Sequence, residues 1–181
     1  MEIYQPIFTT FVLVEEKLIQ ILEKSKHNEK ENAAFLKRLK KQSKQNIDQS
    51  FHQEHDAVFD RIDCLDCGNC CSTTSPIFTD QDTKRLSKLF RVKPVQFIAE
   101  YLRTDLDGDR VLKSSPCPFL MDDKKCFVYD VRPQACSEYP HTNRKNMYQI
   151  LDLTQKNSLV CPAVADIVEH LREIAPKKTF R

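Results

Sequence analysis

Apolar residues recur at helical spacing through the first third of the chain. Phe8, Phe11, Val12, Leu18, Ile19 and Leu22 form one stripe, interrupted only by Glu15, which predicts a helix ending near Lys26. Asn28 followed by Glu31 offers a cap-and-return pair for a second helix. That helix would carry Leu36, Leu39, Ser43, Ile47, Phe51, Val58 and Ile62 along one face. So thin a stripe is best buried by antiparallel packing on the first helix, which predicts a helical hairpin over residues 1–60.

The pattern then changes. Between residues 7 and 75 there is no proline and only Gly68, whereas eight of the nine prolines lie at Pro76 or later. Residues 61–181 therefore read as a second, loop-rich domain with short elements. Thr79 or Asp80 can cap a helix presenting Leu86, Leu89 and Phe90. Pro94 suits the first turn of another, presenting Val95, Ile98, Tyr101 and Leu102. Residues 105–109 resemble a calcium loop only superficially, because Gly108 comes two places early and no glutamate closes the loop. They predict a turn into a strand at residues 110–113. Residues 127–129 and 147–153 also have strand character. Pro133 and Pro162 sit at first helical positions, and the helix from Pro162 presents Val164, Ile167, Val168, Leu171 and Ile174 to a core. The fold class expected is α+β and mostly helical: an N-terminal helical hairpin plus a small irregular cysteine-rich domain with short strands.

Composition adds limits. The 181 residues are 40% hydrophobic and 30% charged, with a net charge of +2, which neither favours nor excludes a polyanionic partner. The first residues lack the basic and apolar regions of a secretory signal, and no stretch predicts a membrane span. A cytoplasmic location is the expectation, and there thiols stay reduced. Lys37, Arg38, Lys40, Lys41 and Lys44 give the second helix a basic outer face. A solvated helix surface accounts for it most simply, and a nucleic acid or acidic protein partner is the alternative. No aromatic residue interleaves with these charges, which weakens single-strand binding.

The chemistry of the chain lies in its eight cysteines. Cys64, Cys67, Cys70 and Cys71 form a CxxCxxCC run, and Cys117, Cys126, Cys136 and Cys161 follow. Isolated core cysteines do not cluster at two-residue spacing, and thiolates that do are soft ligands for zinc or an iron–sulfur cluster. Backbone N–H groups in such turns point at the sulfurs and stabilise their charge. Adjacent Cys70 and Cys71 would point opposite ways in an extended segment and so serve two centres. Alternatively, one completes the cluster begun by Cys64 and Cys67 while the other supports the ligands from behind or is redox-active. The bacterial ferredoxin spacing is excluded, because Thr74 stands where its fourth cysteine belongs. Zinc-ribbon knuckles are excluded too, since the later gaps are eight, nine and twenty-four residues. His141, five residues after Cys136, is the one histidine near the set in sequence.

The run CLDCGNCC, then CPFL from Cys117, CFVY from Cys126, RPQAC ending at Cys136, and Tyr139-Pro140 together resemble the YkgJ-type cysteine-cluster family. That family is also described as the CxxCxxCC zinc- or iron-chelating domain. The resemblance covers roughly residues 63–161 and implies metal binding through the cysteines, without a defined biochemical role. Flagellin lysine-N-methylases look similar over the same cysteines, which implies an iron–sulfur centre and, as a runner-up, methyl transfer. No glycine-rich loop for a methyl-donor cofactor is visible in a chain with two glycines. Ser137 stands where an arginine often follows the motif cysteine. Arg132 and Tyr129 are candidates to contact a substrate carboxylate or phosphate, against ordinary capping and packing roles.

The leading expectation is a cytoplasmic metal-binding protein, with an iron–sulfur cluster preferred to zinc because the ligand set is all thiolate. The alternative is a closed structural zinc domain that leaves the basic helix as the working surface. Whether the chain is an enzyme stays open.

Overall fold

In the computed structural model the chain is described over residues 7–175, with side chains from residue 15 onward. Phe8, Phe11 and Val12 of the first apolar stripe therefore lie outside the described side chains. Among the described residues, ten α-helices accompany one two-stranded antiparallel sheet, so the fold is mostly helical α+β. The chain divides into two compact units: residues 1–63 with 141–181, and residues 64–140.

The first unit contains α1 (Ile7–His27), α2 (Glu29–Leu39), α3 (Lys44–Phe59), α9 (Leu151–Asn157) and α10 (Pro162–Ile174). The long second helix expected from periodicity is two helices. Lys40 to Gln42 turn, and Ser43 starts α3 by accepting a hydrogen bond from Asn46 N at 3.2 Å. The stripe survives this break: Leu36, Leu39, Ile47, Phe51, Val58 and Ile62 are all buried. α10 packs against α1 and α3, so it belongs with the N-terminal helices rather than with the cysteine-rich segment. Pro162 occupies its first turn, and Val164, Ile167, Val168 and Leu171 are buried, while Ile174 is exposed.

A buried carboxylate ties three of these helices together. Glu169 of α10 accepts hydrogen bonds from Asn28 Nδ2 (3.0 Å), Asn32 Nδ2 (2.7 Å) and Arg172 Nη2 (2.7 Å), with Lys24 Nζ at 3.8 Å. This explains why Asn28 does not cap α2 with its side chain, although it stands at the cap position. Its amide is committed to Glu169, and Glu31 pairs with Arg172 instead of returning to the cap. Residues 147–153, expected as a strand, form a 3₁₀ turn followed by the start of α9. The Asp48 carboxylate accepts from both Asn146 N and Met147 N at 2.8 Å, and that anchoring starts the turn.

The second unit contains α4 (Cys64–Cys67), α5 (Asn69–Thr73), α6 (Asp80–Leu89), α7 (Pro94–Tyr101), β1 (Leu102–Thr104), β2 (Arg110–Leu112) and α8 (Gln134–Glu138). Thr79 caps α6 reciprocally with Asp82. Of the face expected for α7, Ile98 and Tyr101 pack against the core and Leu102 at its end is buried, with Phe97 buried beside them, while Val95 is exposed. β2 forms where the turn at 105–109 predicts it and pairs with β1, which was expected as the tail of a helix. Residues 127–129, expected as a strand, instead lead from an isolated bridge at Cys126 into a 3₁₀ turn at Tyr129–Val131. The core is Phe78, Leu86, Phe97, Leu102, Leu112, Phe119 and Val128, and Cys117 and Cys126 pack against it.

Burial alone would raise the Glu169 carboxyl, but the bonds from Asn32, Arg172 and Asn28 outweigh it and hold the group below its usual value of 4.5. A depressed folded value means its contribution is complete above the unfolded value and is lost as pH falls through the folded one. Urea midpoints measured across pH should therefore drop below about pH 4.5 in the native protein. Glu169→Gln should lower the neutral-pH stability by roughly 2–4 kcal/mol and flatten that acid limb. Parallel acid limbs in both proteins would contradict the assignment.

Candidate metal centre

The thiols gather because three short pieces of chain meet. The first is the CxxCxxCC segment, which is helical rather than extended: α4 carries Cys64 and Cys67, and α5 carries Cys70 and Cys71. Neighbouring side chains in a helical turn are separated by about 100°, so Cys70 and Cys71 are not forced to opposite sides. Gly68 joins the two turns with φ +59°. A Cβ there would stand 3.1 Å from Lys124 Cβ and 3.3 Å from Lys124 O. Left-handed backbone and close approach both require glycine.

The second piece is a tight antiparallel reversal over residues 117–127. Cys117 N donates to Cys71 O (2.8 Å), Leu120 bridges Cys126, and Phe127 N donates to Phe119 O (2.8 Å). Cys117 and Cys126 thus sit on the two limbs, while Lys124 at the tip packs over Gly68. The third piece is α8, carrying Cys136. Its placement depends on Asp82, a buried carboxylate whose role beyond helix capping is not legible in the sequence. Asp82 accepts from Thr79 N, Thr79 Oγ1, Gln134 N (3.0 Å) and Arg85 Nη2 (2.6 Å). Arg85 also donates to Val131 O and Arg132 O, clamping the approach to α8.

All eight cysteines are thiols rather than disulfides. Burial raises the Cys136 thiol to about 12, and the charges of Cys71, Cys117 and Cys126 push it the same way. Burial likewise raises Cys117 to about 11, with Cys71 and Cys126 adding to it. Cys126 is raised by burial and by Cys71, and Cys67 by burial and, more weakly, by Cys71. Cys71 moves the other way, to about 7, because the Cys70 thiol donates a hydrogen bond to it. Cys71, Cys117, Cys126 and Cys136 therefore stand within electrostatic reach of one another. Among the described residues, no three histidine, cysteine, aspartate or glutamate side chains are already drawn together tightly enough to hold one ion.

The backbone around these sulfurs follows one pattern. Cys67 accepts an N–H bond from Asn69, Cys117 from Phe119 and Cys126 from Val128, each two residues on, and Cys117 accepts another from Leu120. Amide donors aimed at sulfur favour thiolate over thiol, which suits metal ligation. Burial opposes thiolate in the absence of a cation, and a coordinated cation reverses that balance. The donor set fits zinc or iron chemistry.

Cys161 is buried at the start of α10 and His141 lies at φ +66°, both in the helical unit. Arg132 lies with its guanidinium 3.9 Å from the Tyr129 ring centre, and its Nη1 donates to Tyr129 O at 2.7 Å. Its charge lowers the Cys126 and Cys136 thiols, against the larger effect of burial. The basic run is not one helix face. Lys37 and Arg38 end α2, Lys40 pairs with Asp152, Lys41 lies in the turn, and Lys44 stacks over Tyr148.

The family model of CxxCxxCC, described as "Putative zinc- or iron-chelating domain", matches residues 63–162. The chain belongs to this family. The match spans the CxxCxxCC run, the reversal with Cys117 and Cys126, α8 and Cys161. No curated protein and no solved structure matches the chain. Among the described residues, no helix is long and apolar enough to cross a membrane.

Gly68→Ala should destabilise the cysteine unit by about 1–2 kcal/mol from backbone conformation alone and lower the metal recovered per chain. Asp82→Ala should cost about 2 kcal/mol and reduce metal content further, since it releases α8. Thermal melts and elemental analysis of both variants measure this. Full metal occupancy in Asp82→Ala would contradict the role given to that carboxylate.

Proposed function

We propose that this chain is a metal-centre protein whose cysteine unit holds an iron–sulfur cluster. Its inner ligand set is Cys71, Cys117, Cys126 and Cys136, and Cys64, Cys67, Cys70 and Cys161 are the further candidates. The observation that carries the reading is the recurring N–H···S bond from the residue two positions on, at Cys67, Cys117 and Cys126. Amide hydrogen bonds to ligand sulfurs are a principal means by which a protein sets the potential of such a cluster. Iron–sulfur is preferred to zinc because the candidate ligands are all thiolates, with no histidine among them.

Bound there, a cluster would supply one-electron chemistry. The residues of this chain do the rest. The Phe119–Val128 side of the core shields Cys117 and Cys126 from water, and Asp82 holds the Cys136 turn in place. Arg132 supplies the positive charge that acts on Cys126 and Cys136. A metal–thiolate nucleus contributes roughly 10–16 kcal/mol of apparent binding energy, comparable to the whole stability of a domain at about 5–15 kcal/mol. The cysteine unit is therefore stabilised by its metal, and removal of an inner ligand should unfold it.

Protein purified without oxygen should be brown, contain iron and acid-labile sulfide, and absorb near about 400 nm in a band bleached by dithionite. Cys71→Ser and Cys136→Ser should lose both iron and the folded signature of this unit. A colourless preparation holding stoichiometric zinc would replace the cluster with a closed structural site. A preparation with neither metal would remove the proposal.

A further inference from the structure

Beside the cysteine set lies an open cleft of about 390 Å³, lined by Gln81, Asp82, Arg85, Asp130, Arg132, Gln134 and Ser137. That volume falls in the range of small-ligand sites. Its charges are not equivalent. Arg85 is matched by Asp82 at 2.6 Å and spends further donors on two main-chain carbonyls. The first N–H of α8 is occupied by Asp82, and Ser137 Oγ donates to Gln134 O, which leaves its lone pairs as acceptors. Arg132 differs. It is half-buried and oriented by the Tyr129 ring and carbonyl, yet only Nη1 is bonded among the described residues.

The geometry points to this cleft as a binding site for a small monocarboxylate, held by the fork of Arg132. A planar guanidinium already fixed by stacking loses little freedom when it closes on a planar carboxylate through its remaining N–H groups. Arg85 and Asp82 compensate each other, and Arg132 and Asp130, which complete the charged lining, form no ion pair with each other among the described residues. The lining is neutral overall, so a monoanion at Arg132 adds the least negative charge beside Asp130, whereas a phosphate dianion adds twice as much. The site adjoins the proposed metal centre through Arg132, but carboxylate binding at the guanidinium does not require the metal.

Equilibrium dialysis of the full chain with radiolabelled propionate tests this, with inorganic phosphate as competitor and metal content measured on the same samples. Saturable propionate binding that Arg132→Gln weakens by about tenfold or more is the expected result. Asp130→Asn should tighten propionate several-fold and make phosphate an effective competitor, a gain that misfolding cannot produce. Binding that persists unchanged in Arg132→Gln, phosphate outcompeting propionate in the native chain, or no saturable binding would each overturn the assignment. If binding tracks metal content and ignores Arg132, the carboxylate is a metal ligand and the cleft proposal fails while the metal centre stands. Arg132-dependent binding in protein lacking metal sustains the cleft and leaves the metal centre to fail by itself.

Discussion

Four half-buried cysteines brought within reach of each other's charge are the constraint on which the cysteine unit turns. Charge on Cys71 makes Cys117, Cys126 and Cys136 harder to ionise, and burial opposes the thiolate at all four, although the hydrogen bond from Cys70 outweighs it at Cys71. A chain gains nothing from such a gathering unless a cation resolves it. Uncharged side chains of similar size would pack the same space with less conflict. The amide donors aimed at three of the sulfurs have the same implication, because they favour the ionised form that burial opposes.

Much of the second unit can be understood as what that gathering needs. The cysteines come from pieces too short to hold position alone, so each is fixed by something else. Gly68 lets α4 and α5 fold tightly beneath the Lys124 tip, and the Leu120–Cys126 bridge sets the two limbs in register. Asp82 and Arg85 reach from α6 to the start of α8, linking a helix cap to the turn that carries Cys136. The aromatic core of Phe78, Phe97 and Phe119 forms the apolar floor on which Cys117 and Cys126 rest. The helical unit is organised on a different principle, a buried glutamate satisfied by two asparagines and an arginine from its neighbours.

What the sequence reveals follows from how local each signal is. The Pro162 helix, the Thr79 cap and the turn into β2 are written in adjacent residues, and they form where expected. The cysteine spacing, with the ordered motifs after it, identifies the family. Where local preference competes with a distant partner, the sequence misleads. Residues 147–153 carry strand-like residues, but Asp48, some hundred residues away in the chain, captures the amides that start a helical turn. Asn28 looks like a cap until Glu169 claims its amide. Nothing in the residues around Asp82 signals that it both closes the Thr79 cap and holds Gln134. The inner face of α7 includes one residue that its own periodicity did not single out, Phe97, which is held in an aromatic cluster assembled from other elements.

The most direct measurement is X-ray absorption at the edge of whichever metal the purified protein contains. The account predicts a first shell made of sulfur alone, at about 2.3 Å, lost when Cys71 and Cys136 are replaced together. A first shell of nitrogen or oxygen, or a sulfur shell indifferent to those two cysteines, would contradict it.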